Sequence, residues 1–165
     1  MAVLIRELEI SDRDFILKVE NNKDTWKVSH TKSSFTEVEI ELFITKNIIE
    51  GLDSEQKRWV ITSNNIACGC IDLFDYNQSN ARAGIGIVIL PDYQSKGIAS
   101  AAIKKFLTYC KKELKLNQVY CSIIPDNINS IKLFTKQGFI ETGIRKEWTN
   151  YNDEWFDEIF YQKKL

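Results

Sequence analysis

The sequence predicts a mixed α+β fold: a mostly antiparallel sheet of six or seven strands, flanked by about four helices, with one parallel strand–helix–strand unit. Three observations predict it. An apolar run at 85–90 is ended by Pro91 and followed by apolar residues at helical spacing (Ala99, Ala102, Ile103, Phe106, Leu107, Cys110), then by a second apolar run at 119–124. Two strands joined by such a crossover run parallel, with a right-handed connection. Upstream, the runs 59–62 and 66–74 flank Ser63-Asn64-Asn65, a hairpin signal because asparagine tolerates positive φ. Downstream, 139–146 and 155–161 flank Asn150-Tyr151-Asn152-Asp153, a second hairpin.

The remaining elements follow in order. Residues 3–5 read as a short first strand. Ser11, with Asp14 three residues on, reads as a helix start, and Phe15, Ile16 and Val19 keep helical spacing. Segment 21–34 is polar and reads as a loop anchored by Trp26. Thr36 and Glu39 form a second capping box ahead of Ile40, Phe43, Ile44, Asn47 and Ile48, and Gly51 stops that helix. The strand at 82–90 is apolar on both faces from Ile85, as suits a central strand. Gly84 and Gly86 leave room on one face for something to lie close. Asn129 and Ser130 are read as caps of a short helix, 131–137, ended by Gly138.

The 165 residues suggest one domain, 1–165, with a sizeable core. A net charge of −1 and a pI of about 5.9 argue against a nucleic-acid partner, which selects a basic face. Lys111, Lys112 and Lys115 sit at a helix C-terminus, where they complement the dipole. No apolar run approaches the ~18 residues of a membrane span, and no signal-type apolar segment opens the chain, so neither membrane nor export is expected. Cys68, Cys70, Cys110 and Cys121 accompany a single histidine, which is too few ligand pairs for zinc. Reduced thiols in a cytoplasmic protein, with no metal, are expected.

Chemistry concentrates in Gln94-Ser95-Lys96-Gly97-Ile98-Ala99. A strand, a short loop, a glycine and a helix start point several partnerless N–H groups at one place, and the helix dipole favours an anion there. The alternative is a tight strand–helix turn without a ligand. A second helix start follows the other parallel strand, and ligands of open α/β sheets bind in the crevice between two such ends. The segment is neither a phosphate loop of the G-x-x-x-x-G-K-[ST] type nor a dinucleotide fingerprint.

With Asn127-Ile128-Asn129-Ser130-Ile131-Lys132-Leu133-Phe134 and Gly138-Phe139 downstream, the chain resembles the GNAT superfamily of acetyl-CoA-dependent N-acetyltransferases over nearly its whole length. It looks most like the branch of ribosomal-protein N-terminal and spermidine/diamine acetyltransferases. The resemblance implies a GNAT fold with the parallel unit at the cofactor crevice. Cofactor contacts would come from Val88, Ile89 and Leu90 along pantetheine, from Gln94, Ser95, Lys96, Gly97, Ile98 and Ala99 at the pyrophosphate, and from Asn127, Asn129, Ser130 and Phe134. The backbone N–H of Val88 would polarise the thioester oxygen.

Two positions depart from the family. Phe134 stands where many relatives have a tyrosine acid, and Gly84 where many have a glutamate base. Candidate bases are Asp72, Asp75 and Asp157; candidate donors are Tyr120 and Ser122. His30 lies in a polar loop that borders the acceptor side in this family, and reads as a solvated or loop-stabilising residue rather than a general base. Trp148, Trp155 and Phe156 read as packing residues, and Asp153, Glu154, Asp157 and Glu158 as a solvated acidic hairpin that could also attract a cationic amine. The resulting expectation is transfer of an acetyl group to a primary amine, either a small amine such as a polyamine or a peptide amine, by direct attack in a ternary complex. The alternatives are a CoA-binding module with little turnover and a binder of another phosphorylated ligand. A homodimer is expected by resemblance.

Overall fold

Helices are interspersed among the strands along the chain, and every strand joins one sheet. The computed structural model describes residues 1–165. In chain order the elements are β1 (Val3–Glu7), α1 (Arg13–Glu20), α2 (Trp26–Ser29), α3 (Glu37–Glu50), β2 (Gln56–Ser63), β3 (Ile66–Asn77), β4 (Arg82–Ile89), α4 (Ile98–Lys112), β5 (Gln118–Ile123), α5 (Ile128–Lys136), β6 (Ile140–Tyr151) and β7 (Glu154–Lys164). The sheet order is β1-β2-β3-β4-β5-β7-β6. Every neighbouring pair is antiparallel except β4–β5. The expected α+β architecture, with its parallel unit, is observed.

Alternation along the strands builds two cores. Trp59, Ile61, Ile71, Leu73, Ile85, Val119 and Cys121 face α4, where Phe106 meets the Trp59 ring edge-on at 5.1 Å. Each fully buried side chain of this size contributes about 1.5–3 kcal/mol. On the opposite face Val60, Cys70 and Leu90 pack against Ile16, Val19, Ile40 and Ile44 of α1 and α3. Asn47 stitches α3 to β2, donating to the Gln56 carbonyl at 2.5 Å and accepting from the Arg58 N–H at 2.9 Å.

Several local expectations hold. Thr36 and Glu39 form their capping box, Gly51 ends α3 at φ 56°, and Asn64 and Asn65 turn the β2–β3 hairpin at positive φ. Others are corrected. Ser11 caps nothing: the reciprocal box is Glu9 with Asp12, which also binds Arg6 with both oxygens at 2.7 Å. Segment 21–34 contains a fifth helix, the single turn α2, with Trp26 buried as its anchor. Helix α5 begins at Ile128 rather than 131, because Asn127 caps it by accepting from the Ser130 N–H at 3.3 Å. The last hairpin is longer than expected and turns on Asn152 and Asp153, both at positive φ.

Candidate active site

The parallel pair is short. β4 and β5 match over only three positions, Arg82–Gln118, Ala83–Val119 and Gly84–Tyr120, and then diverge. β4 continues to Ile89 with a partner on its β3 side alone. The divergence opens a crevice whose wall is strand backbone.

Which backbone groups face that crevice is settled by the pleat. The Leu90 N–H donates to the Cys68 carbonyl at 2.9 Å, and Val88 pairs with Cys70. Alternate residues of an antiparallel strand point their N–H and C=O groups to the same side. The Val88 amide is therefore committed to β3, which corrects its assignment as oxyanion donor. Ile87 and Ile89 face the crevice instead, and the Ile89 carbonyl accepts from Gln94 Nε2 at 2.9 Å. Ile87 was missed because its direction depends on the β3–β4 register, which no local pattern encodes.

Beyond β4 the chain makes one 3-10 turn, Pro91–Tyr93, with Ser95 at φ 59° and Gly97 at φ 78° ahead of α4. These left-handed residues curl the backbone so that successive amides converge. None of the N–H groups of residues 95–100 has a protein acceptor. A Cβ on Gly97 would meet nothing within 4 Å, so the space in front of the turn is open. Six unpaired donors beside the positive end of a fifteen-residue helix fit a pyrophosphate. Lys96 turns back, with Nζ on the Asp92 carbonyl at 2.7 Å.

Asn127 spends its Oδ1 on the α5 cap, leaving Nδ2 without a partner and available to a ligand. Asn129 is exposed and Ser130 half-buried on the first turn of α5. Phe134 is only 4% exposed and meets Phe139 edge-on at 5.1 Å, so it supports α5 from within the core. Gln137 Nε2 reaches Ser100 Oγ at 2.7 Å and ties the two helices that flank the crevice.

The proton-transfer candidates behave differently. At Gly84 a Cβ would overlap the Phe74 ring, so the room there is filled by the chain itself. Beside Gly86 the nearest atom is Phe74 Cε1 at 3.9 Å, and the space stays open. Asp72 is corrected as a base: it is 9% exposed and both its oxygens hold Arg58, at 2.7 and 2.8 Å, while Arg58 also pairs with Glu20. Burial works against the Arg58 charge, yet Asp72 and Glu20 hold its pKa well above the ordinary value. Tyr120 donates to Asp75 at 2.7 Å within an aromatic cluster of Phe74 and Phe160. Burial, and then that carboxylate, push the phenol up to about 12. Asp157 accepts from the Glu147 N–H at 2.8 Å and Lys146 Nζ at 2.9 Å, which hold it below the usual carboxylate range. Ser122 is exposed on the same face as Tyr120 and makes no hydrogen bond.

A cavity of about 310 Å³ lies between the α2 segment and β6, lined by Lys27, His30, Thr31, Lys32 and 148–151. The feature least visible in the sequence stands there: His30 Nε2 lies 3.5 Å from Glu158 Oε1.

Residues 2–140 match the acetyltransferase (GNAT) domain family. The N-acetyltransferase YnaD of Bacillus subtilis is 30% identical over 159 residues, which cover 96% of this chain and 91% of that protein. The spermidine N(1)-acetyltransferase of Escherichia coli K12 is 28% identical over 142 residues, covering 86% and 75%. The crystal structure of the Vibrio cholerae spermidine N-acetyltransferase with CoA and spermine aligns with a TM-score of 0.90 at 25% identity, covering 98% and 95% of the two chains. The chain belongs to the GNAT acetyltransferase family. It is an N-acetyltransferase, and acetyl-CoA is its acyl donor.

Proposed function

We propose that this protein acetylates a primary amine seated in the cavity between α2 and β6, by direct attack on the donor held in the β4–β5 crevice. The observation that carries the reading is the three-residue limit on β4–β5 pairing, which leaves strand backbone at Ile87 and Ile89 beside an unpaired amide turn. When bound, acetyl-CoA supplies an activated acetyl thioester. Amides 95–100 receive its negative charge. The outward groups of Ile87 and Ile89 bind the neutral arm as a neighbouring strand would, and one such N–H stabilises charge on the reacting oxygen. Positioning supplies much of the rate.

A covalent enzyme intermediate has no support. All four cysteines are free and buried, and burial raises Cys70, Cys110 and Cys121 to about 12. The leaving thiolate needs little assistance, because an ordinary thiol, with a pKa of ~8.5, is far more acidic than an alkyl ammonium at ~10.4. Lys32 on the cavity rim favours an acceptor with one amino group, such as a peptide amine, over a polyamine, while Lys27 is paired with Asp126. Reduced thiols suit a cytoplasmic setting. The exposed Ile140, Ile144 and Trp148 of edge strand β6 support a homodimer.

The second reading, a CoA-binding module with little turnover, draws on Gly84, whose space Phe74 fills, and Phe134, which stand where many relatives keep acid–base groups. Release of free CoA thiol across spermidine, cadaverine and an alanine-initiated tripeptide separates the two: silence with all three favours the module. Acetyl-CoA at a hundred times its Kd stabilises a binding protein by about 2.7 kcal/mol. Gly97→Glu abolishes that shift if the cradle is at 95–100, whereas Gly97→Ala shares the backbone strain and keeps it.

A further inference from the structure

The geometry points to His30 as the group that takes the proton from the attacking amine, with Glu158 orienting it; this rests on the acetyl-transfer reading above. His30 is the only histidine in the chain. It sits at the C-terminal cap of α2 with φ 59°, its backbone N–H bonded to the Trp26 carbonyl. Its ring is 59% exposed, whereas the Glu158 side chain is 7% exposed and is fixed by Thr149 Oγ1, which donates to it at 2.7 Å. A carboxylate facing Nε2 keeps the hydrogen on that nitrogen and leaves the lone pair on Nδ1. This is a base backed by an orienting group.

The dyad stands on the correct side of the sheet. Glu158 precedes Ile159, which pairs with Ile123 at the C-terminal end of β5. It shares a face with Phe160, whose partner is Ser122, and that face also carries Gly86 and Val88 across the crevice. The α2 segment is tied to the loop before α5 by Lys27 and Asp126. The charged and titratable groups around the imidazole are Glu158 from β7, Lys27 and Lys32 from the α2 segment and Tyr151 from β6, with Asp126 of the β5–α5 loop paired to Lys27. Asp72 and Asp157 are both engaged elsewhere, so the dyad fills the role left vacant by Gly84.

The step balances. An ammonium acceptor gives one proton to Nδ1. The freed amine nitrogen bonds the acetyl carbon as the C–S bond breaks, with its electron pair staying on sulfur. The nitrogen then gives its second proton to the thiolate, and the imidazolium releases its own to solvent. One acetyl group has moved and one proton has been released.

The test is the pH dependence of kcat/KM for total amine, at saturating acetyl-CoA, with the fastest acceptor of the panel above. The wild type holds a level region below the amine's own pKa, over which the rate does not follow the fraction of neutral amine. His30→Gln, unable to accept a proton, needs amine that is already neutral. It is at least about 10²-fold slower at pH 7.5 and keeps rising with unit slope to the amine's pKa. Glu158→Gln lowers kcat/KM and keeps the level region, because the base remains and only its orientation is lost. Acetyl-CoA thermal shifts check that each variant is folded, and imidazole added to His30→Ala restores rate. A purely structural role lowers the rate without reshaping the profile. A level region retained in His30→Gln overturns the proposal and leaves acetyl transfer standing. A wild type silent with every amine overturns both.

Discussion

Lys27 Nζ lies 2.5 Å from Asp126 Oδ2 and 3.7 Å from the centre of the Phe156 ring, joining a helical turn near the start of the chain to the loop before α5, 99 residues on. The contact holds one wall of the proposed acceptor cavity against the loop before α5. Asp126 is largely exposed, so the ion pair itself adds under about 1 kcal/mol to stability. Lys27→Met keeps the apolar stem on Phe156 and loses the tie. KM for the amine is expected to rise about fivefold, equivalent to ~1 kcal/mol, with KM for acetyl-CoA unchanged. Equal changes in both constants would show that the tie seats the donor instead.

Arg58 and Asp72 lie beneath α1 and α3, and removing one partner strands a buried charge. Asp72→Ala is expected to cost about 3–5 kcal/mol in urea denaturation, and pairing it with Arg58→Met to recover most of that. The double variant is expected to retain acetyl transfer. An Asp72→Ala protein as stable as wild type would contradict the buried pair.

Phe74 fills the place a side chain at 84 would occupy. Gly84→Ala is expected to destabilise by about 1–3 kcal/mol through overpacking. In a Phe74→Ala background the same change should cost at least ~1 kcal/mol less, a coupling that a double-mutant cycle measures directly. Restoring a glutamate at 84 alone would therefore not restore a base.

Tyr120 carries a pH signature. Its phenol is raised to about 12 by burial and by Asp75, against ~10 when unfolded. A raised folded value favours the protonated, folded form. The contribution is fully present below pH ~10 and is lost between about 10 and 12. Burial also raises Tyr109 and Tyr161, so ultraviolet titration should show several late tyrosines, and Tyr120→Phe should remove the one near 12. A late amplitude unchanged in that variant would place the shift elsewhere.

Much of this molecule was legible from local chemistry. The Thr36–Glu39 box, the Asn64-Asn65 turn and the run from Gln94 to Ala99 depend on neighbours within a few residues, so pattern alone recovers them. The candidate pyrophosphate turn is of this kind. The groups assigned to proton transfer and charge stabilisation are not. Asp72 resembled a base until Arg58, fourteen residues away, was seen to hold it. Gly84 resembled open room until Phe74 filled it. Val88 was assigned a direction that only pairing with Cys70 could set. His30 and Glu158, 128 positions apart, meet only because the final hairpin returns beside α2. Side chains placed by tertiary register leave no periodic trace in sequence.

The brief contact between β4 and β5 also divides the molecule mechanically. β1 to β4 form one slab and β5, β7 and β6 another, stitched in the sheet by three residue pairs, by Tyr120 against Phe74 and Asp75, and through the helices. A donor seated there, as proposed, would bridge the two slabs like a missing plank. Amides of β5 and β7 are then expected to exchange through partial opening without acetyl-CoA, and only through global unfolding when it is saturating. The lifetime of such a protein would follow the abundance of its own substrate.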